Sequence, residues 1–130
     1  MADLTDAQAA GNTKLIGSDS TGAETNFAAV NTDGSLVVKE KKATANVITS
    51  IAASNTNVTL LAANSNRIGA TVYNDSNATL YLKLGATAST ASYTVQMGSK
   101  TYYETPYGYT GQIDGIWLVA NGNARMGELT

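Results

Sequence analysis

Histidine and cysteine are both absent from this 130-residue chain, and proline and phenylalanine occur once each. Without imidazole there is no Ser–His pair, no ring base working near neutral pH and no histidine ligand for a metal. Without thiols there is no cysteine nucleophile, no iron–sulfur cluster, no thiolate zinc site and no disulfide, and the redox compartment is left undefined. Charge is also scarce: 14 % of residues are charged, against about 25 % in an ordinary soluble domain. Eight basic residues against ten acidic ones leave no cationic footprint for nucleic acid, so no nucleic-acid partner is expected. The apolar runs fall far short of the roughly 20 residues of a membrane span, and no membrane association is expected. The opening Met-Ala-Asp-Leu-Thr-Asp is acidic and polar where a secretory leader is basic and then apolar, so folding in the cytosol of synthesis, or exit from that cell by another route, is expected.

Neutral polarity takes the place of charge. Forty residues are Ser, Thr or Asn, alongside twelve glycines and a 43 % hydrophobic share. Threonine and β-branched apolar residues favour strands, whereas Asn, Ser and Gly favour turns, so the composition reads as all-β and loop-rich. The length suits one domain of ordinary size that buries about two thirds of its unfolded surface.

Along the chain, residues 1–25 differ from the rest, with Leu4, Leu15 and Ile16 as their only sizeable apolar anchors. Thr5 and Gln8 fit a capping box, so a short helical turn is expected there, ended by Gly11-Asn12. The stretch holds too little apolar surface to order itself alone and reads as a disordered terminus or as an extended arm that orders against a neighbour. Residues 26–42 form the next unit: Phe27-Ala-Ala-Val30 and Ser35-Leu-Val-Val-Lys39 flank Asp33-Gly34, a hairpin signal, and a charged linker follows. Residues 43–130 alternate at strand period. Val47, Thr49 and Ile51, then Val58 and Leu60, then Ile68, Ala70 and Val72, then Leu80, Leu82 and Leu84, each mark one face. Tyr93 to Met97, Tyr102 to Glu104, a long stretch over 111–119 carrying Trp117, and Arg125 to Leu129 complete seven or eight strands. Turns every 8–12 residues predict an antiparallel β-sandwich or jelly roll.

Little in the chain selects a chemistry. Asp33 and Asp75 sit in turns, where aspartate bonds its own backbone. Asp114 interrupts an otherwise apolar strand, and an ion pair with Arg67 or Arg125, or a bulge, accounts for it better than acid catalysis. A glycosidase pair of Glu104 and Asp114 fits by spacing alone, and Asn74-Asp75-Ser76-Asn77 offers oxygens to calcium without the EF-hand spacing. No enzymatic role, no cofactor and no metal site are expected. The densest feature is the set Tyr102, Tyr103, Tyr107 and Tyr109 around Pro106. Tyrosine joins a flat apolar face to a polar tip, so the rings suit a self-buried loop, an oligomer or partner interface, or a glycan site.

Three blocks carry a resemblance: Tyr73-Asn-Asp-Ser-Asn-Ala-Thr-Leu-Tyr-Leu-Lys-Leu-Gly85, Tyr102-Tyr-Glu-Thr-Pro-Tyr-Gly-Tyr-Thr-Gly111, and Ile113-Asp-Gly-Ile-Trp117 with the ending Ala120-Asn-Gly-Asn-Ala-Arg-Met-Gly-Glu-Leu-Thr130. In this order they resemble small virion proteins of tailed bacteriophages, and residues 16–37 are similar, less specifically, to N-terminal segments of phage structural proteins. The resemblance implies a structural protein of the virion, assembled in the host cytoplasm, with no catalytic residues to carry over. A head decoration (cement) protein is the leading form: a β domain, commonly a homotrimer, bridging capsomers by contact with the major capsid protein, with Leu4, Leu15 and Ile16 in the clamping arm. The other form is a tail, baseplate or fibre module beside neighbouring tail proteins, touching host glycans through the tyrosines.

Overall fold

The computed structural model describes residues 13–18, 24–30, 35 and 41–130. Two compact units divide the chain between residues 40 and 41. In the first unit, β1 (Thr13–Ser18) pairs antiparallel with β2 (Glu24–Val30), with Leu15 opposite Ala28 and Ile16 opposite Phe27. A strand thus runs through the second half of the expected arm, and β2 extends across residue 25. The expected strand at 27–30 is present, but its antiparallel partner among the described residues is β1. The capping turn at Thr5, the anchor Leu4 and most of the 35–39 strand lie outside the described residues.

The second unit holds eight strands and is all-β. In chain order they are β3 (Asn46–Ala52), β4 (Val58–Leu61), β5 (Gly69–Asp75), β6 (Leu80–Leu84), β7 (Val95–Met97), β8 (Tyr102–Glu104), β9 (Ile113–Trp117) and β10 (Asn123–Leu129). They form two four-stranded antiparallel sheets, ordered β3-β10-β5-β8 and β4-β9-β6-β7. The pairing is nested: β3 with β10, β4 with β9, β5 with β8 and β6 with β7. One long antiparallel ribbon folded over on itself gives this order, which is the winding of a jelly roll. Both sandwich readings of the sequence converge on this topology. Among the described residues no helix is long and apolar enough to cross a membrane.

The alternation read from the sequence places the core. Leu80 and Leu82 of β6, Ala70 and Val72 of β5, Ala124 and Met126 of β10, and Ile113 and Trp117 of β9 are all buried between the sheets. In β4 a bulge falls between Thr59 and Leu61 opposite β9. The extra residue lets successive Leu60 and Leu61 both enter the core, which strict alternation forbids. Gly115 marks the tightest packing. A Cβ there would stand 2.8 Å from Leu80 Cδ1 and 2.9 Å from Leu60 Cδ1, so glycine is what lets the two leucines meet over β9. β9 ends at Trp117, two residues short of the expected strand. Leu118 and Val119 are exposed, and a turn closes with Asn121 N–H donating to the Val119 carbonyl at 2.9 Å.

Candidate functional site

Three polar groups sit deep in the sandwich, and each holds a loop. Asn74, at the end of β5, is fully buried; its amide donates to the carbonyls of Ala78 (2.8 Å) and Gly98 (2.8 Å), and its Oδ1 accepts from Trp117 Nε1 (3.0 Å) and Ser76 Oγ (2.7 Å). The turn read as Asn74-Asp75-Ser76-Asn77 is thereby locked to the indole from the opposite sheet. Asn74 and Ser76 face inward, and Asp75 accepts ion pairs from Lys100 (2.6 Å) and Arg125 (2.8 Å). Those partners hold the Asp75 carboxyl below the usual range, the Lys100 hydrogen bond contributing most. No three His, Cys, Asp or Glu side chains among the described residues come together to hold a metal ion.

Asp114 belongs to the other sheet, directly opposite the β4 bulge at Thr59. No arginine reaches it. Its Oδ2 accepts from Asn57 Nδ2 (2.9 Å) and the Thr87 amide (2.8 Å), and its Oδ1 accepts from Gln112 Nε2 (2.7 Å). Asn57 adds a bond from the Ala88 amide to its Oδ1 at 2.6 Å, so the pair pins residues 87–88 over the sheet. Burial pushes the Asp114 carboxyl up, but hydrogen bonds from Gln112, Asn57, the Thr87 amide and Thr59 outweigh it and leave the group lowered overall. The expected ion pair is therefore replaced by neutral donors, because each arginine has another task. Arg67, itself buried, donates to Glu128 Oε1 (2.7 Å), to the Gly111 carbonyl (2.6 Å) and to the Ala62 carbonyl, while Arg125 meets Asp75. Glu104 is on β8 and Asp114 on β9, in opposite sheets, and Asp114 is enclosed by its own donors.

The four tyrosines do not form one cluster. Tyr103 and Tyr109 pack against the core, and Tyr109 donates to the Gln112 carbonyl at 2.9 Å. Tyr102 and Tyr107 are 57 % and 68 % exposed. Tyr102 donates to Glu104 Oε1 at 2.6 Å, and that bond raises its own phenol above the usual value. Tyr107 donates to the Lys41 carbonyl at 3.0 Å. The segment it reaches is anchored further: the amides of Thr44 and Ala45 donate to the Thr130 carbonyl, and Lys41 Nζ donates to the Asn66 carbonyl.

Between the exposed rings and β10 the outer face of the sheet is hollow. Ile48, Gly127, Thr71 and Glu104 fall in one row across β3, β10, β5 and β8. Beside Thr71 and Glu104 lies a groove of about 430 Å³ lined by Gly69, Thr71, Glu104, Thr105, Tyr107 and Leu129, among others. The rings were legible in the sequence but the groove was not, because its lining joins residues of β5, β8, the loop after β8 and the end of β10. No family model, no curated protein and no solved structure matches the chain.

Proposed function

We propose that the chain is a structural protein of a tailed-phage virion and that it decorates the head, bridging capsomers by contact with the major capsid protein. The observation that carries this reading is where the exposed large apolar side chains lie. Val47 (53 %) and Ile48 (66 %) are on β3, Tyr102 is on β8, and Tyr107 is on the loop leaving β8, so one sheet bears four of them. Val47 and Ile48 at one edge of the sheet and Tyr102 at the other are exposed apolar and aromatic side chains of the kind that suit contact with another protein. Two features agree with it. The jelly roll is an architecture of viral capsid domains, although fold alone does not choose a function. The deeply buried Asn74, Asp114 and Arg67 all have their polar atoms engaged in holding loops, which suits a static scaffold and leaves none of them free for acid–base chemistry. The arm reading of residues 1–25 and the homotrimer belong to the same proposal.

Particles carrying a label at the chain's C-terminus test the location. Label on the head lattice, with a 26–130 variant that decorates much more weakly, is the expected result; equal binding by that variant removes the arm from the clamp. A second reading is favoured by the groove. Its volume is within the range of small-ligand sites, and Tyr107 and Glu104 offer a stacking face and a hydroxyl acceptor to a sugar. If label sediments with tails, and a glycan is retained by the parent chain but lost in Tyr107→Ala, the tail module replaces the head protein.

A further inference from the structure

We propose that Asn121-Gly122, in the turn joining β9 to β10, is a site of spontaneous modification at which the asparagine becomes aspartate and isoaspartate. The site does not depend on the virion reading. Of the chain's asparagines only Asn121 precedes a glycine. Asparagine is a thermolabile residue, and it decays when the following backbone nitrogen attacks its own side-chain amide. Gly122 N bonds to Asn121 Cγ, closing a five-membered ring, and the Cγ–Nδ2 bond breaks. The Nδ2 group leaves as ammonia, taking the proton from the Gly122 amide. Water then opens the ring at either carbonyl, giving aspartate or, with an added methylene in the backbone, isoaspartate. Nothing is oxidised or reduced.

The fold prepares both reacting groups. The electrophile is polarised: the Asn77 amide N–H donates to Asn121 Oδ1 at 2.9 Å. Attack at Cγ places negative charge on that oxygen, so a fixed backbone donor stabilises the charge as it develops. The nucleophile is open. Gly122 is exposed, has no Cβ to shield its nitrogen, and its N–H donates to no acceptor among the described residues. A bulkier residue does not fit at this position. The Gly122 φ is +71°, and a Cβ would meet the Asp75 carbonyl oxygen and stand 2.7 Å from Ser76 Cα. The turn that demands glycine thus keeps the reactive pair in place. The two products affect the turn differently. Aspartate still offers an acceptor to the Asn77 amide, whereas isoaspartate lengthens the backbone and carries the acceptor away. The tie between this turn and the one after β5 is then lost.

Ageing the full chain in mildly alkaline buffer, followed by trypsin and tandem mass spectrometry, tests the site. Cleavage after Lys100 and Arg125 releases the peptide 101–125, which carries Asn121 and, as an internal control, Asn123. Deamidation at Asn121 should exceed that at Asn123 by about tenfold or more, with isoaspartate located at 121 by methyltransferase labelling. Asn121→Gln, whose longer side chain must close a larger ring, should show none at 121 over the same period. The Asn77 donor is in place only in the fold, so conversion in the folded chain should be no slower than in guanidinium. Equal conversion at 121 and 123, or slower conversion in the folded chain than in guanidinium, overturns the proposal. Thermal melting then reads the consequence. The isolated isoaspartate form should melt below Asn121→Asp, and equal melting of the two would show that the tie to Asn77 is not lost. Failure of the labelled protein to reach phage heads would sink the virion reading and leave this site standing.

Discussion

At the residue scale, the polar groups inside the sandwich matter as much as the apolar ones. Trp117 is 1 % exposed and its indole N–H is bonded to Asn74 across the two sheets. Trp117→Ala removes both the packing and that bond, so chemical denaturation should show a loss of roughly 3–5 kcal/mol. A loss below about 1 kcal/mol is incompatible with this burial. Asp114 makes a pH prediction. Its folded carboxyl titrates below the ordinary value, because the donors from Gln112, Asn57 and Thr87 favour the ionised form more than burial disfavours it. The unfolded chain therefore takes up the proton first. The stabilisation is fully present above about pH 4–5 and is lost as pH falls through the folded value. Asp114→Asn turns one acceptor into a donor facing other donors. It should cost about 1–3 kcal/mol at neutral pH and flatten the acid limb of stability measured between pH 5 and 3. An acid limb unchanged in that variant would assign the slope to Asp75, whose carboxyl is also lowered.

Elements are joined here by side chains that cross loops. Arg67 ties three of them: Glu128 at the end of β10, the Ala62 carbonyl just after β4, and the Gly111 carbonyl just before β9. Arg67→Met keeps much of the volume but leaves Glu128 and two carbonyls without their donor. Thermal and urea unfolding should report a loss of about 3 kcal/mol or more. Lys83, a half-buried cation of equal charge on β6, bonds the Thr87 carbonyl and Ser92 Oγ and no carboxylate, and its replacement should cost less than about 1 kcal/mol. The strand alternation was legible wherever leucines or valines recur at every second position, as in β5 and β6. Two things were not. The β4 bulge breaks the period, and two adjacent leucines look like any short apolar run. The partners of Asp114 were also hidden: Asn57 reads as a turn residue, Gln112 as part of the 111–119 strand, and Asn57 and Thr87 are far from Asp114 in sequence.

For the whole molecule, the division at residues 40–41 sets the expectation for proteolysis. The sandwich is closed at its start by the bonds from Thr44 and Ala45 to Thr130, so the chain's two ends in this unit hold each other. Limited proteolysis of the full chain should leave a resistant fragment beginning near residue 41 and running to the C-terminus, identified by mass. Cuts distributed through 46–130 at a comparable rate would contradict a single cooperative sandwich.

Composition and period by themselves determined the class of this protein. Few charges, no histidine or cysteine, abundant Thr and Asn, and leucines two apart permit a β-sandwich with a tryptophan in it, because those signals are local and survive in one dimension. They also determined that Asp114 is unusual. Tertiary structure alone decided the rest. Nested strand pairing unites residues as distant as Asn46 and Leu129, and no local pattern encodes that closure. It split four adjacent tyrosines into two core rings and two surface rings, since neighbours along a strand and around a turn face different sides. It set Gly69 of β5 beside Leu129 of β10 and near Tyr107 to line a groove, and it left β3 at an edge of its sheet. Which strand lies outermost depends on the order of the whole sheet, and that order exists only once every other strand has found its partner.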